Sequence, residues 1–346
     1  MTGKRLSEDI ASLRTEESPS SEKESFQIYW KSPYGSPPPA HAVFGWLPFL
    51  DSFPLPSIEN IIRVHDLPPP LFQIPIQKTT FLPDKPAWIT SIEETLKTIQ
   101  SGILSKVVLA RSCVFECVET VDPFAVAAYL QNKSQNSTVF CFANETMAFV
   151  GASPEILFQR KHRIIQSDII AGTARRGSTP EEDLLIEKKL LQDPKMLREW
   201  KAVQTFLKTQ LASLCVGPLL SFPLHVKKTS HVQHLSGQIQ GTLLPHIKDE
   251  DILQKIHPTP ALCGTPTNRA RNWILQQEPF SRGLYGGAVG WSTQEESEWV
   301  VAIRSCLIQN SRVTVCTGAG IVEGSQPEEE WEELNHKMAL YKDLFT

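Results

Sequence analysis

Glu199 is the first residue whose type does not suit its surroundings. The spacing predicts a helix from Asp193-Pro194 to about Ala212, on which Met196, Val203 and Leu207 form an apolar stripe with Glu199 inside it. A carboxylate on a buried face is costly unless it is paired or bound to a metal; the alternative is a boundary position from which it reaches water. A second group lies on the helix expected after Ser325. Ser325-Gln326-Pro327-Glu328 has the form of a capping box, and Glu329, Glu330, Glu332 and Glu333 follow. The helix dipole accounts for most of these acids. Glu330, Glu333 and Lys337 nevertheless share one face, where two carboxylates and an ammonium can serve a magnesium ion and an anionic ligand. Three glycine-rich turns let backbone N–H groups approach a ligand, and each is equally compatible with a plain tight turn: Ala171-Gly172-Thr173, Tyr285-Gly286-Gly287 and Thr317-Gly318-Ala319-Gly320. None matches a dinucleotide fingerprint or a Walker A loop. Arg304 follows the apolar run Val300-Val301-Ala302-Ile303, a natural place for a carboxylate clamp. A lone histidine such as His234 is more often a satisfied core residue than a catalyst.

These residues need a mixed scaffold. Strands are expected at Val43–Leu47, Lys106–Arg111, Thr138–Asn144, Met147–Gly151, Ile156–Arg160, Arg163–Ile170, Leu224–Val226, Ser230–Leu235, Ile239–Leu243, Gly287–Trp291, Trp299–Ile308 and Arg312–Ala319. Helices are expected at Ala87–Ser101, Pro123–Leu130, after Thr179-Pro180, after Asp193-Pro194, at Asp249–Ile256, at Asn268–Gln277 and after Ser325. Many of the 26 prolines fall in residues 30–90, which predicts short strands and irregular connections there. Residues 1–25, rich in Ser, Glu, Lys and Thr, read as a mobile polar tail.

The chain has 346 residues, 41% hydrophobic and 21% charged, with a net charge of −4. Its Lys and Arg residues are scattered, which argues against a nucleic-acid or membrane-surface role. No apolar run approaches the roughly 18 residues of a membrane span, and the N-terminus lacks the apolar stretch of a secretory signal. The seven cysteines are scattered and odd in number, so they read as thiols in a reducing cytoplasm rather than a disulfide framework or a zinc site.

Nine segments in order resemble the chorismate-utilising enzymes, and among them the isochorismate synthases. They are Lys106–Arg111, Gly151-Ala152-Ser153-Pro154-Glu155, Ala171-Gly172-Thr173, Arg198-Glu199, Val232-Gln233-His234-Leu235, His257-Pro258-Thr259-Pro260-Ala261, Tyr285-Gly286-Gly287, Ala302-Ile303-Arg304-Ser305, and Gly318–Val322 leading to Glu330-Trp331-Glu332-Glu333 and Lys337. The resemblance covers about residues 90–346. It implies an α/β (α+β) fold: a single large domain over 26–346, with two antiparallel sheets packed face to face and helices outside. It implies an isomerase that replaces the 4-hydroxyl of chorismate with a hydroxyl at C2. Lys106 matches the family's general base and Glu155 its general acid, so burial must move the lysine's pKa down and the glutamate's up. Glu199 and Glu333 match ligands of Mg²⁺, with Glu330 as an outer partner. Arg304, Tyr285, Lys337 and the backbone at Gly318 and Gly320 resemble the elements that bind the substrate carboxylates, and Gly172, Thr173 and His234 the pocket wall.

Two positions depart from the family pattern. Trp200 stands where a histidine usually follows the metal-binding glutamate, and Met196 stands where an acidic residue is common. The region before Lys106 is also short, which predicts missing or rearranged N-terminal strands. Ala261 separates the rivals. Amine-transferring anthranilate and aminodeoxychorismate synthases usually carry a Pro-x-Gly-Thr pattern here, and salicylate synthases a threonine. No glutaminase elbow is present, so no glutaminase subunit is expected, and the family's synthases are often monomers. Menaquinone formation is the preferred destination of the product. A catalytically silent relative would be expected to lose Lys106 or Glu155, and both are present.

Overall fold

The computed structural model describes residues 25–346 apart from 34–35, 50–59, 135 and 230–231. The tail read over residues 1–25 lies outside the described residues except for Ser25, which opens the first strand. In chain order the N-terminal elements are β1 (Ser25–Lys31), β2 (Val43–Leu47), β3 (Asn60–Arg63), β4 (Ile76–Leu82), α1 (Lys85–Gln100), β5 (Lys106–Cys117) and α2 (Pro123–Lys133). The middle holds β6 (Thr138–Ala143), β7 (Ala148–Ser153), β8 (Ile156–Lys161), β9 (Ile164–Arg175), α3 (Pro180–Gln192), α4 (Pro194–Ala212), β10 (Cys215–Lys228) and β11 (Val232–Leu243). The remainder is α5 (Asp249–Ile256), β12 (Gly264–Thr265), α6 (Thr267–Gln277), β13 (Ala288–Ser292), β14 (Glu296–Val301), β15 (Ser305–Gln309), β16 (Arg312–Ile321) and α7 (Pro327–Lys342).

The strands form two sheets. One runs β12-β5-β16-β15-β7-β6-β1-β3, with β4 also on β5; the other runs β10-β11-β9-β8-β14-β13-β2. Pairing between the named strands is antiparallel except for β1 with β3, which is parallel. The N-terminal region contributes to both sheets: β1 and β3 extend one and β2 lies at the edge of the other. Aromatic residues fill the space between the sheets. Trp30 and Phe142 of the first meet Phe44 and Trp46 of the second at ring separations of 6.1–6.3 Å, contacts of about 0.5–1.5 kcal/mol each beyond their burial. On the outside, Val126 and Leu130 of α2 and Met338 and Tyr341 of α7 bury with Val139, Val150 and Val315. Val203, Leu207 and Leu211 of α4 join Ile165, Ile169 and Ile239 of the second sheet.

The strand expected over Trp299–Ile308 is two strands. It breaks at Ala302–Arg304, where Arg304 takes the left-handed conformation at φ 51°. The three short strands expected between Leu224 and Leu243 are instead the long antiparallel pair β10–β11. All seven cysteines are free, and six are buried. No helix among the described residues is long and apolar enough to cross a membrane.

Candidate active site

The site forms where the chain twice crosses between the sheets. Ser153-Pro154-Glu155 links β7 of one sheet to β8 of the other, and Ala302-Ile303-Arg304 links β14 back to β15. The crossings are bonded side by side. The Val301 N–H donates to the Glu155 carbonyl at 3.1 Å, and the Ala152 N–H donates to the Arg304 carbonyl at 3.0 Å. Tyr341 of α7 adds its hydroxyl to the same Arg304 carbonyl at 2.8 Å. These bonds hold Arg304 in a conformation that costs a non-glycine residue about 1–3 kcal/mol.

Lys106, the first residue of β5, is only 4% exposed, and its Nζ lies 3.3 Å from Glu199 Oε2. Glu199 is 9% exposed, so the boundary alternative does not hold: the carboxylate is buried and paired. Gly320 is small because of this pair. A Cβ there would lie 3.1 Å from Lys106 Cε and 3.2 Å from Glu199 Oε2. On α7, Glu333 Oε1 pairs with Lys337 Nζ at 2.5 Å, and Lys337 donates to the Gly318 carbonyl at 2.8 Å. Glu330 is buried against Lys195 at 3.0 Å.

Glu155 is 4% exposed. Burial pushes its carboxyl up to about 8, and Asp168 adds to the rise; Lys227, Lys106 and Arg304 pull the other way. On the facing wall, the bulge at Gly172 (φ 75°) aligns Thr173 with His234. Thr173 Oγ1 and His234 Nδ1 are 3.0 Å apart, and His234 Nε2 is buried without a protein partner. Burial first, then the cations Arg304, Lys337 and Lys227, hold this imidazole well below its usual range, hence neutral.

Twelve of the sequence candidates besides Lys106 line one cleft: Glu155, Gly172, Thr173, Glu199, His234, Ala261, Tyr285, Arg304, Gly318, Gly320, Glu333 and Lys337. Glu330 lies outside it. Met196 lines it as well, whereas Trp200 packs into the core, where its ring would meet a Cβ on Gly237 at 2.7 Å. The family's usual histidine is therefore replaced by a core residue. Sequence reasoning missed a buried clamp beneath the cleft. Arg282 pairs with Glu278 at 2.5 Å and donates to the carbonyls of Leu262 and Val108, while the Ala110 N–H donates to Glu278. The clamp ties the loops of Ala261 and Tyr285 to the strand of Lys106. Asp168 was missed too; it follows Gln166 and Ser167 on β9, so its type alone gave no signal.

The residues suit a hard divalent cation in donor type, since Glu199 and Glu333 both offer carboxylate oxygens to the cleft. Each is charge-matched by a lysine, and no group of three His, Cys, Asp or Glu side chains among the described residues is gathered to hold a metal on its own.

Residues 61–344 match the family model for chorismate binding enzymes, more than four-fifths of the chain. The chain belongs to the chorismate-binding enzyme family. Isochorismate synthase MenF of Haemophilus influenzae is 36% identical over 297 residues, covering 84% of this chain and 67% of that protein. Isochorismate synthase 2 of Arabidopsis thaliana, a chloroplastic protein, is 37% identical over 264 residues, covering 75% of this chain and 47% of the relative. The solved structure of MenF from Escherichia coli, the menaquinone-specific isochorismate synthase, superposes with a TM-score of 0.77 at 32% identity, covering 82% of this chain and 66% of that one. The matching stretch thus spans about half to two thirds of these relatives, and the family's chemistry meets a chain with the two-sheet scaffold in place.

Proposed function

We propose that this chain is a cytoplasmic, monomeric isochorismate synthase that needs no glutaminase subunit and takes Mg²⁺ as cofactor. The observation that carries the reading is a carboxyl held protonated to about pH 8, Glu155, in the same cleft as a buried lysine, Lys106. Lys106 takes a proton from the water that attacks C2. Glu155 gives its proton to the hydroxyl leaving C4, so one hydroxyl enters the ring and one water departs. Arg304 and Lys337 bring positive charge to a dianionic substrate, and Tyr285 places its hydroxyl beside Gly318. Glu199 and Glu333 would hold the magnesium ion, whose charge would offset a substrate carboxylate. Ala261 leaves room for water and offers the ring no hydroxyl. The likeness to a menaquinone-specific synthase supports menaquinone formation as the destination.

Incubation with chorismate and Mg²⁺ tests the reading, with products separated chromatographically. The expected result is isochorismate accumulating beside unconverted chorismate. Salicylate and pyruvate as main products would make the chain a salicylate synthase, and anthranilate or aminodeoxychorismate formed with added ammonia would make it an amine-transferring enzyme. Chorismate binding without turnover would make it a silent relative.

A further inference from the structure

The peptide groups on both sides of Glu155 are held from the second sheet. Lys227 of β10 donates to the carbonyl of Pro154, the residue before it. The N–H of Ile156, the residue after it, faces the carboxylate of Asp168 on β9 and favours its charged form. Asp168 Oδ2 and Lys227 Nζ are 3.8 Å apart, with side chains 13% and 11% exposed. Gln238, paired with Asp168 across β9 and β11, donates to its Oδ1 at 3.2 Å. Opposite charges from two strands thus meet at the turn where the chain crosses between sheets.

We propose that Asp168 and Lys227 are a positioning pair for Glu155, fixing the Pro154-Glu155-Ile156 backbone and balancing the charge its carboxyl faces. The inference rests on Glu155 as the proton donor. Packing alone does not explain the pair. The side chains of Asp168 and Lys227 are largely withdrawn from water, and a buried ion pair stabilises no better than apolar residues of similar volume. Fixing the carbonyl before Glu155 and the N–H after it removes the backbone freedom through which its carboxyl would swing. The charges also act in opposite senses on that carboxyl, Asp168 raising its pKa and Lys227 lowering it. The other charges facing Glu155 are Lys106 of β5 and Arg304 of the second crossing, and His225 of β10 faces Asp168. Burial sets the raised value, and the pair trims it from both sides.

The test uses Asp168→Asn and Lys227→Met in the full chain, with Lys227→Gln as a second, polar replacement and Lys227→Arg as rescue. Ionisation of Glu155 is read directly from carboxyl carbon shifts of labelled glutamate, assigned with Glu155→Gln, and the pH dependence of kcat is recorded alongside. In Asp168→Asn the Glu155 ionisation moves to lower pH. In Lys227→Met and Lys227→Gln it moves to higher pH, and Lys227→Arg returns it. The alkaline limb of kcat moves with it, while KM for chorismate changes less. Folded variants that leave the Glu155 signal in place, or shift it in one common direction, overturn the inference. A signal that moves as stated while the alkaline limb of kcat stays fixed upholds the pair and removes Glu155 from the proton-donor role.

Discussion

Glu155 is the residue whose surroundings most oppose its ordinary charge state, and stability as well as chemistry registers the conflict. Its carboxyl keeps a proton in the fold up to about 8, against the usual 4.5. The native state therefore binds more protons than the unfolded state across that window, and stability falls as pH rises from about 4.5 toward 8. Glu155→Gln removes this dependence, so its melting temperature should decline less than the wild type's over the same window; parallel declines would contradict the raised value. In turnover, Glu155→Gln and Lys106→Ala should each lose about 10²–10⁴-fold, with chorismate still bound. Wild-type activity should fall above about pH 8 as the acid ionises, and a Lys106→Ala enzyme with near-normal kcat would assign water activation to another group. Glu199 was legible from sequence alone because a carboxylate interrupts an apolar stripe. Lys106 and Glu155 were not. A lysine opening an apolar strand looks solvated, and it is buried only because β12, Gly320 and Glu199 close around it; its role came from the family resemblance.

At the scale of elements, the starts of α3 and α4 were readable because their signals are local, whereas the box read at Ser325 does not form: Gln326 stands at the N-cap of α7 with no side-chain bond. Asp193 caps α4 through the N–H groups of Lys195 and Met196, and Thr179 caps α3 through that of Glu182. The break at Arg304 was not readable. Its cause is non-local: bonds from Ala152 and from Tyr341, 37 residues away, pin a peptide that apolar periodicity alone would continue as strand. Tyr341→Phe should cost about 0.5–1.5 kcal/mol and raise KM for chorismate more than it lowers kcat, because the guanidinium loses its aim. Unchanged melting and unchanged KM would show that the other crossing bonds suffice. Gly320→Ala sets a methyl 3.1 Å from Lys106 Cε and should depress kcat through displacement of that lysine, with little change in folding; normal turnover would show that the Lys106–Glu199 pair has slack. The parallel β1–β3 pair is another non-local outcome, since nothing in either strand's alternation states its partner.

Across the whole molecule, two sheets, two crossings and two helices bring the Lys106 amine, the Glu155 carboxyl, two further carboxylates and several cations together at one seam. Glu199 on α4 and Glu333 on α7 come from distant parts of the chain, so a shared metal would couple those helices. Glu199→Ala or Glu333→Ala should abolish Mg²⁺-dependent activity and weaken calorimetric Mg²⁺ binding while the circular dichroism spectrum is kept; an unchanged titration in either would remove that residue from the metal site. In the proposed reaction, water from solvent attacks C2 while the C4 hydroxyl leaves. Brief turnover of chorismate in ¹⁸O-labelled water, followed by mass spectrometry of the isochorismate, tests it most directly. The expected result is one ¹⁸O atom per isochorismate, located at C2, with recovered chorismate unlabelled before equilibrium is reached. Isochorismate that carries no label would mean that the original hydroxyl migrates within the ring, and water activation by Lys106 would be refuted.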